Sequence, residues 1–418
     1  MKNIVKKVAL INNEKCLKSI IRVVASALIL FSIITVYVTT PKETEFARFA
    51  DEGYYFKYAK AVKDYGVGQF PLLLKRHLAD KKPNPYPHPG RIGHTLITSL
   101  WLRIFPDTFR SLARLSFVCF VLFLLCSFHF SKKFWGHNVA YLYTVLLSCS
   151  PLIMTSGRRV LQESILNLFW AITLWSFLDF LTKKKLSKFI LFLAVYSFSI
   201  TIKETSITLL PFFALSFLVC KYAYKQPFSY WYLAVLLTIP FILTGFAYII
   251  FMGGLANILS LLKYLLALNL SEANIYSLYT RGPWYRYIID FLMLSPLTTL
   301  LAIGYLFYIL ASRRFVQKTV YWGLYLVVVF AVFSSMKYAK VVRYVMNLDI
   351  AIYLFTVWAL FELFRQKNRV YQGYLVLAAV VLIYCNNYFN FLYLFVIQRL
   401  YDPISYWLLI LQKIIPPL

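Results

Sequence analysis

Residues 19–38 read SIIRVVASALILFSIITVYV, an apolar run broken only by Arg22 near its start. At about 1.5 Å per helical residue it reaches roughly 30 Å, the thickness of a bilayer's hydrocarbon core. Lys2, Lys6, Lys7, Lys15 and Lys18 precede it. Such a run is either a signal peptide or an anchor. No small-x-small site stands before Thr39, so we read a retained signal-anchor with a cytoplasmic amino terminus.

Outward from this run the same pattern repeats. Further apolar stretches lie at 111–130, 138–155, 160–181, 186–202, 205–222, 229–252, 287–311, 319–336, 344–363 and 371–397, the last interrupted by Asn386, Asn387 and Asn390. Every even-numbered stretch ends in a basic cluster: Lys132 and Lys133; Lys183, Lys184, Lys185 and Lys188; Lys221 and Lys225; Arg313, Arg314 and Lys318; Arg365, Lys367 and Arg369. Short basic loops on alternate sides are the signature of the positive-inside rule. The sequence therefore predicts an all-α polytopic membrane protein forming one domain over 1–418. It has about eleven transmembrane helices, eleven to thirteen if a segment at 404–412 also crosses, and no soluble domain is expected after them.

Composition agrees. The 418 residues are 61% hydrophobic, more than a soluble domain of this size can hide from water. Lys and Arg total 44 against 16 Asp and Glu. In a soluble chain that excess would point to nucleic acid; lying in short loops between apolar runs, it points instead to anionic membrane lipid, and no nucleic-acid partner is expected. The six cysteines avoid the long polar loops, so no disulfide framework is implied. No CxxC or HExxH spacing occurs, which leaves a divalent metal without support, and no cofactor is required.

Two segments on the expected outer side are long, 39–110 and 253–286. Residues 53–65, with Lys57, Lys60 and Lys63 spaced between aromatic and aliphatic side chains, read as an amphipathic helix on the membrane surface, and 255–268 reads the same way. The first segment carries Asp51-Glu52-Gly53-Tyr54 and then Tyr86-Pro87-His88-Pro89-Gly90-Arg91. The carboxylates of Asp51 and Glu52 can supply a general base, or merely the acids favoured in a helix's first turn. The prolines fix a turning backbone from which His88 can enter a site, although a lone loop histidine is commonly just solvated.

Other polar residues recur at the same ends of the spans: Arg158, Arg159 and Glu163; Lys203 and Glu204; Lys337, Lys340, Arg343 and Tyr344. Arg159 and Glu163, four apart, can be a plain helix-surface ion pair, and the later cations can snorkel to headgroups. Their recurrence beside an acidic pair suits a cavity whose reaction expels a phosphate. Tyr276, Tyr279, Trp284, Tyr285 and Tyr287 can stack on a sugar or form an interfacial aromatic belt.

The ordered set Asp51-Glu52 with Tyr54, Tyr86 to Gly90, Gly157-Arg158-Arg159 through Glu163, Lys203-Glu204-Thr205, Gly282-Pro283-Trp284-Tyr285 and Arg343-Tyr344 resembles the GT-C superfamily of membrane glycosyltransferases. It is most similar to the branch of protein O-mannosyltransferases (dolichyl-phosphate-mannose-dependent) and lipid A aminoarabinose transferases. The resemblance implies juxtamembrane helices in the first outer segment and a sugar donor on a polyprenyl phosphate. The acceptor would be a glycolipid, glycan or protein of the cell envelope. It implies catalytic roles for Asp51, Glu52 and Glu163. Phosphate contacts would come from Arg158, Arg159, Lys203, Lys337, Lys340 and Arg343, and substrate contacts from Tyr54, His88, Trp284, Tyr285 and Tyr344. An inverting transfer outside the cytoplasm is the expected activity, at the plasma or inner membrane if the chain is bacterial.

Two rivals share the composition. A transporter or flippase of lipid-linked sugars should place charges at the bilayer midplane and show repeat symmetry; here Asp349 is the exception among acids near span ends, and no repeat is evident. A non-catalytic assembly subunit would need neither Asp51-Glu52 nor the outer cations.

Overall fold

The computed structural model describes residues 2–46, 51–80, 86–270, 280–336, 340–400, 402–403 and 405–407. Among them every regular element is helical. Eight helices are long and apolar enough to cross a membrane: Glu14–Val38, Phe109–Trp135, Glu163–Lys183, Glu204–Tyr222, Tyr230–Met252, Gln317–Ser335, Met346–Leu363 and Arg369–Ile397. A bent pair, His137–Ser148 and Pro151–Gly157, makes nine if it is counted as one span. The expected eleven also include Leu186–Ile202 and Pro296–Ser312, which at 17 residues each stand at the short limit for a crossing.

Two expected spans are broken, each for a local reason. The stretch 138–155 turns by 68° after Ser148. Ser150 Oγ accepts from the Ile153 N–H at 3.3 Å and Pro151 follows, so a cap and a proline restart the helix in a new direction. The stretch 287–311 divides into Arg286–Leu294 and Pro296–Ser312. Pro296 opens the second helix, where its ring needs no N–H, instead of kinking a continuous one. Asn387, by contrast, breaks nothing. It is fully buried and donates to Tyr353 Oη at 3.1 Å, tying two spans together.

Glu163–Lys183 and Met346–Leu363 are the most enclosed spans, while Tyr230–Met252 turns most of its surface outward. Trp170, Trp175, Trp322, Tyr143, Tyr325 and Tyr353 are wholly buried in the main core. The first long segment folds as Asp51–Tyr65, Gln69–Ala79 and Ile92–Ile104. The first of these is the amphipathic helix expected: Tyr55, Tyr58, Ala59 and Val62 are buried, Lys57 and Lys60 are exposed, and Lys63 reaches Asp107 at 2.6 Å. Leu255–Leu270 is helical too. Ile92–Ile104 closes on Leu186–Ile202 through Gly93, where any Cβ would stand 2.3 Å from Thr201 Oγ1.

The basic clusters gather at one end of the bundle. Lys133, Lys183 and Lys188 surround Asp179, and Arg314 and Arg365 meet Glu362. Asp51, Glu163, Lys203 and Arg343 meet at the other. Asp349, the acid set apart in the sequence, accepts from Ser150 Oγ at 2.5 Å in the core.

Candidate active site

Adjacent residues in the site belong to different partnerships, because local backbone geometry sends them apart. Asp51 and Glu52 open a helix, so their side chains diverge by about 100°. Asp51 Oδ2 accepts from Arg343 Nη2 at 2.7 Å. Glu52, almost wholly buried, takes Arg159 in a bidentate pair at 2.8 and 2.7 Å and accepts from the Val160 N–H at 3.0 Å. Arg159 thus pairs with Glu52 rather than with Glu163 four residues on. Lys203 ends its helix in extended conformation, φ −154° and ψ 130°, and its side chain parts from that of Glu204.

Lys203 Nζ donates to Glu163 Oε1 at 3.1 Å, and both side chains are only 2% exposed. Arg343 Nη1 stands 4.0 Å from the same carboxylate, completing a chain Asp51–Arg343–Glu163–Lys203. The Tyr344 ring covers this chain, with Lys203 Nζ 4.3 Å and the Arg343 guanidinium carbon 5.3 Å from its centroid. Asp51 retains 24% side-chain exposure where Glu163 retains 2%, so of the two it is the acid that an incoming molecule can touch.

A second set lies alongside. Arg91 donates to Glu204 through Nε at 3.2 Å and Nη2 at 2.8 Å, and through Nη1 to Tyr55 Oη at 2.6 Å. Against the penalty of burial, Glu204 and Tyr55 hold the Arg91 guanidinium above its usual value. Burial, with Arg91 nearby, pushes His94 down to about 3, leaving a neutral ring 4.7 Å from that of Tyr55. His88 accepts from the Gly90 N–H through Nδ1 at 3.2 Å and turns Nε2 to within 3.8 Å of Glu204. Tyr58 Oη donates to Pro87 O at 2.8 Å, fixing the proline tract, and Tyr54 stacks on Tyr86 at 4.2 Å.

The remaining expected contacts fall elsewhere. Arg158 is buried and donates to Phe395 O at 3.0 Å. Lys340 donates to the carbonyls of Gly282 and Pro283 at 2.7 and 3.1 Å. Trp284 and Tyr285 are exposed, and Trp284 lines an apolar groove of about 540 Å³ with Ile288, Phe330 and Leu348. A smaller groove of about 300 Å³ runs from His88 and Glu204 along Tyr248, Leu261 and Leu265. Lys337, Tyr276 and Tyr279 lie outside the described residues. Among the described residues no three His, Cys, Asp or Glu side chains gather as a metal site.

An all-helical membrane bundle with surface helices leading into a charged chamber at one end is the architecture of the GT-C fold, and this chain has that fold. Residues 87–248 match the family model described as dolichyl-phosphate-mannose-protein mannosyltransferase. ArnT from Cupriavidus metallidurans bound to undecaprenyl phosphate is similar over 88% of this chain and 75% of its own, with a TM-score of 0.55 at 15% identity. The Archaeoglobus fulgidus oligosaccharyltransferase in its apo form is similar over 88% of this chain and 55% of its own, with a TM-score of 0.59 at 9% identity. No curated protein sequence matches the chain. The match over residues 87–248 and the likeness in fold agree with the GT-C resemblance drawn from the motifs.

Arg91, Tyr55 and His94 have no site role in the sequence reading, where Arg91 only closes the proline tract, and Glu204 enters it only beside Lys203. Arg91 and Glu204 are 113 residues apart, a pairing that neither local spacing nor periodicity encodes.

Proposed function

We propose that this chain is an inverting glycosyltransferase that moves a sugar from a polyprenyl-phosphate carrier to an acceptor hydroxyl on the non-cytoplasmic face of the membrane. The observation that carries it is the reachable Asp51 carboxylate held by Arg343 and backed by the sealed Glu163–Lys203 pair. The acceptor oxygen attacks the anomeric carbon while its proton passes to Asp51. The sugar–phosphate C–O bond breaks, its electron pair leaves with the polyprenyl phosphate, and Arg343 meets that charge. A single displacement inverts the carbon. In the free protein Arg343 holds Asp51, and a donor phosphate competes for the same guanidinium.

Lys203 lies one layer behind, holding Glu163 and thereby Arg343. A fixed guanidinium supplies the charge that the leaving group requires, so this reading needs no cofactor. The two apolar grooves give an isoprenoid chain a dry bed, and undecaprenyl phosphate, the ligand in the ArnT structure, is of the same class. Sidedness rests on the basic clusters at the far end of the bundle. A cysteine at Lys57 should label from outside intact cells and one at Lys184 should not; the reverse pattern would invert the topology.

The decisive experiment is Asp51→Asn, which preserves shape. Expression and donor binding are expected to be normal, with transfer lowered roughly 10²-fold or more. Transfer near the wild-type rate would remove Asp51 as base and leave Glu163 as the next carboxylate to test.

A further inference from the structure

Three distant stretches of chain meet beside the turn that carries Arg343. The helix Arg286–Leu294 contributes Arg286, Tyr287 and Asp290; the turn contributes Lys340 and Val342; the segment after the last span contributes Asp402 and Ser405. All are buried. Arg286 Nη2 donates to Ser405 Oγ at 2.8 Å and lies 3.7 Å from Asp402 Oδ2, and Ser405 Oγ donates to that same oxygen at 2.5 Å. Lys340, through its ammonium on Gly282 and Pro283 and its N–H on Thr280 O at 2.9 Å, stitches the turn to the start of this helix. The Asp402 carboxylate also feels the Val342 N–H and the Arg343 guanidinium.

None of these groups has a part in the proposed transfer. Gathering buried charges from three segments is costly unless they fix one another, and what they enclose is Val342–Tyr344, a single 3₁₀ turn with little stability of its own. We infer that Asp402 is a positioning residue: locked by Arg286 and Ser405, it steadies the Val342–Tyr344 turn so that Arg343 points at Asp51 and Glu163. The inference rests on the reading of Arg343 given above. Asp290 keeps the balance of charge. Its two oxygens have no hydrogen-bond partner among the described residues. Burial, then Asp402, push its carboxyl up to about 8 against the pull of Arg286, so at neutral pH it is mostly protonated and leaves Arg286 to Asp402.

The test uses the full chain in phospholipid nanodiscs. Hydrogen exchange over residues 341–345 comes first because it requires no activity. Asp402→Asn should speed exchange there about 10-fold or more while leaving Glu163–Lys183 unchanged, and Asp402→Glu should restore most of the protection. Unchanged protection at 341–345 overturns the inference. If Asp402→Asn does not accumulate, Ser405→Ala removes the hydroxyl's bonds to Asp402 and Arg286 without removing a charge and should move the same amides in the same direction. The second measurement is kcat/KM for a polyprenyl-phosphate sugar. Asp402→Asn should lower it about 10-fold in the natural background and less than about 2-fold in an Arg343→Lys background, where the group it aims has been replaced. Equal factors in both backgrounds would show that Asp402 does not act through Arg343. A natural chain with no transfer at all would sink the glycosyltransferase reading alone, and the exchange result would still decide the positioning.

Discussion

The helix Glu163–Lys183 carries an acid near each end, and the two are held in opposite ways. Glu163 and Lys203 form a closed pair from which water is excluded on both sides. Asp179 is equally buried, yet it is shared by Lys133 at 2.6 Å and by Lys183 and Lys188 at 3.7 Å, all of which keep a quarter or more of their side chains exposed. In the first arrangement Glu163 is held by Lys203 and, at 4.0 Å, by Arg343, in a low-dielectric setting with little solvent to replace either. In the second the cations remain solvated, and any one can leave while the others stay. The same residue types thus make an exacting chamber at one end of the bundle and a forgiving anchor at the other.

The largest effect that can break this contrast is Lys203→Met. It leaves Glu163 buried without its nearest cation and should cost about 3–5 kcal/mol, read from denaturant unfolding of the purified protein. A loss below about 1 kcal/mol would mean that the chamber is as tolerant as the anchor. Glu52→Gln should come next, at about 1.5–3 kcal/mol, because it weakens a charge-assisted pair with Arg159. Transfer should fall far less than for Asp51→Asn, since Glu52 faces Arg159 and not Arg343. Kinetics of the two variants side by side would check it, and equal losses would merge two roles that the geometry separates.

Asp290 sharpens the contrast through pH. Arg286, Asp402 and Tyr287 surround it, and its carboxyl stands above the ordinary value of 3.8. Its contribution to stability is therefore whole below about pH 4 and falls away as pH rises through about 8. The decline should approach 1.4 kcal/mol per pH unit at its steepest, about one proton's worth, and Asp290→Asn should flatten it. Unfolding curves from pH 6 to 9 would show the slope. Smallest of all is Lys183→Gln beside Asp179, expected at roughly 0.2–1 kcal/mol and diminished by salt.

Much of this architecture was written locally. The 19–38 run and the alternation in 53–65 both express burial along a continuous stretch: the first lies within the helix Lys2–Val38, which shares its end, and the second fills Asp51–Tyr65. The breaks at Ser150 and Ser295 are less visible, because an apolar run looks the same whether or not a serine and a following proline redirect it. The chamber was half legible. Asp51, Glu163, Lys203 and Arg343 were chosen for type and for position near span ends, and they do come together. Who holds whom was not legible: Asp51 and Glu52 separate because of helix pitch, and their partners lie 292 and 107 residues away. Arg286, Asp290 and Asp402 have no role in the sequence reading, since a single acid beyond the last span carries no pattern.

The Asp51–Arg343 pair has a further consequence in time. A ribosome adding roughly 5–20 residues per second needs about 15–60 s to cover the interval between the two residues. Throughout that interval Asp51 has been made and the Arg343 that comes to hold it has not. Glu163 waits only for Lys203, 40 residues later. The chamber is therefore closed from the back first and from the front last, and the Asp51–Arg343 pair can form only once the tenth expected span is being made.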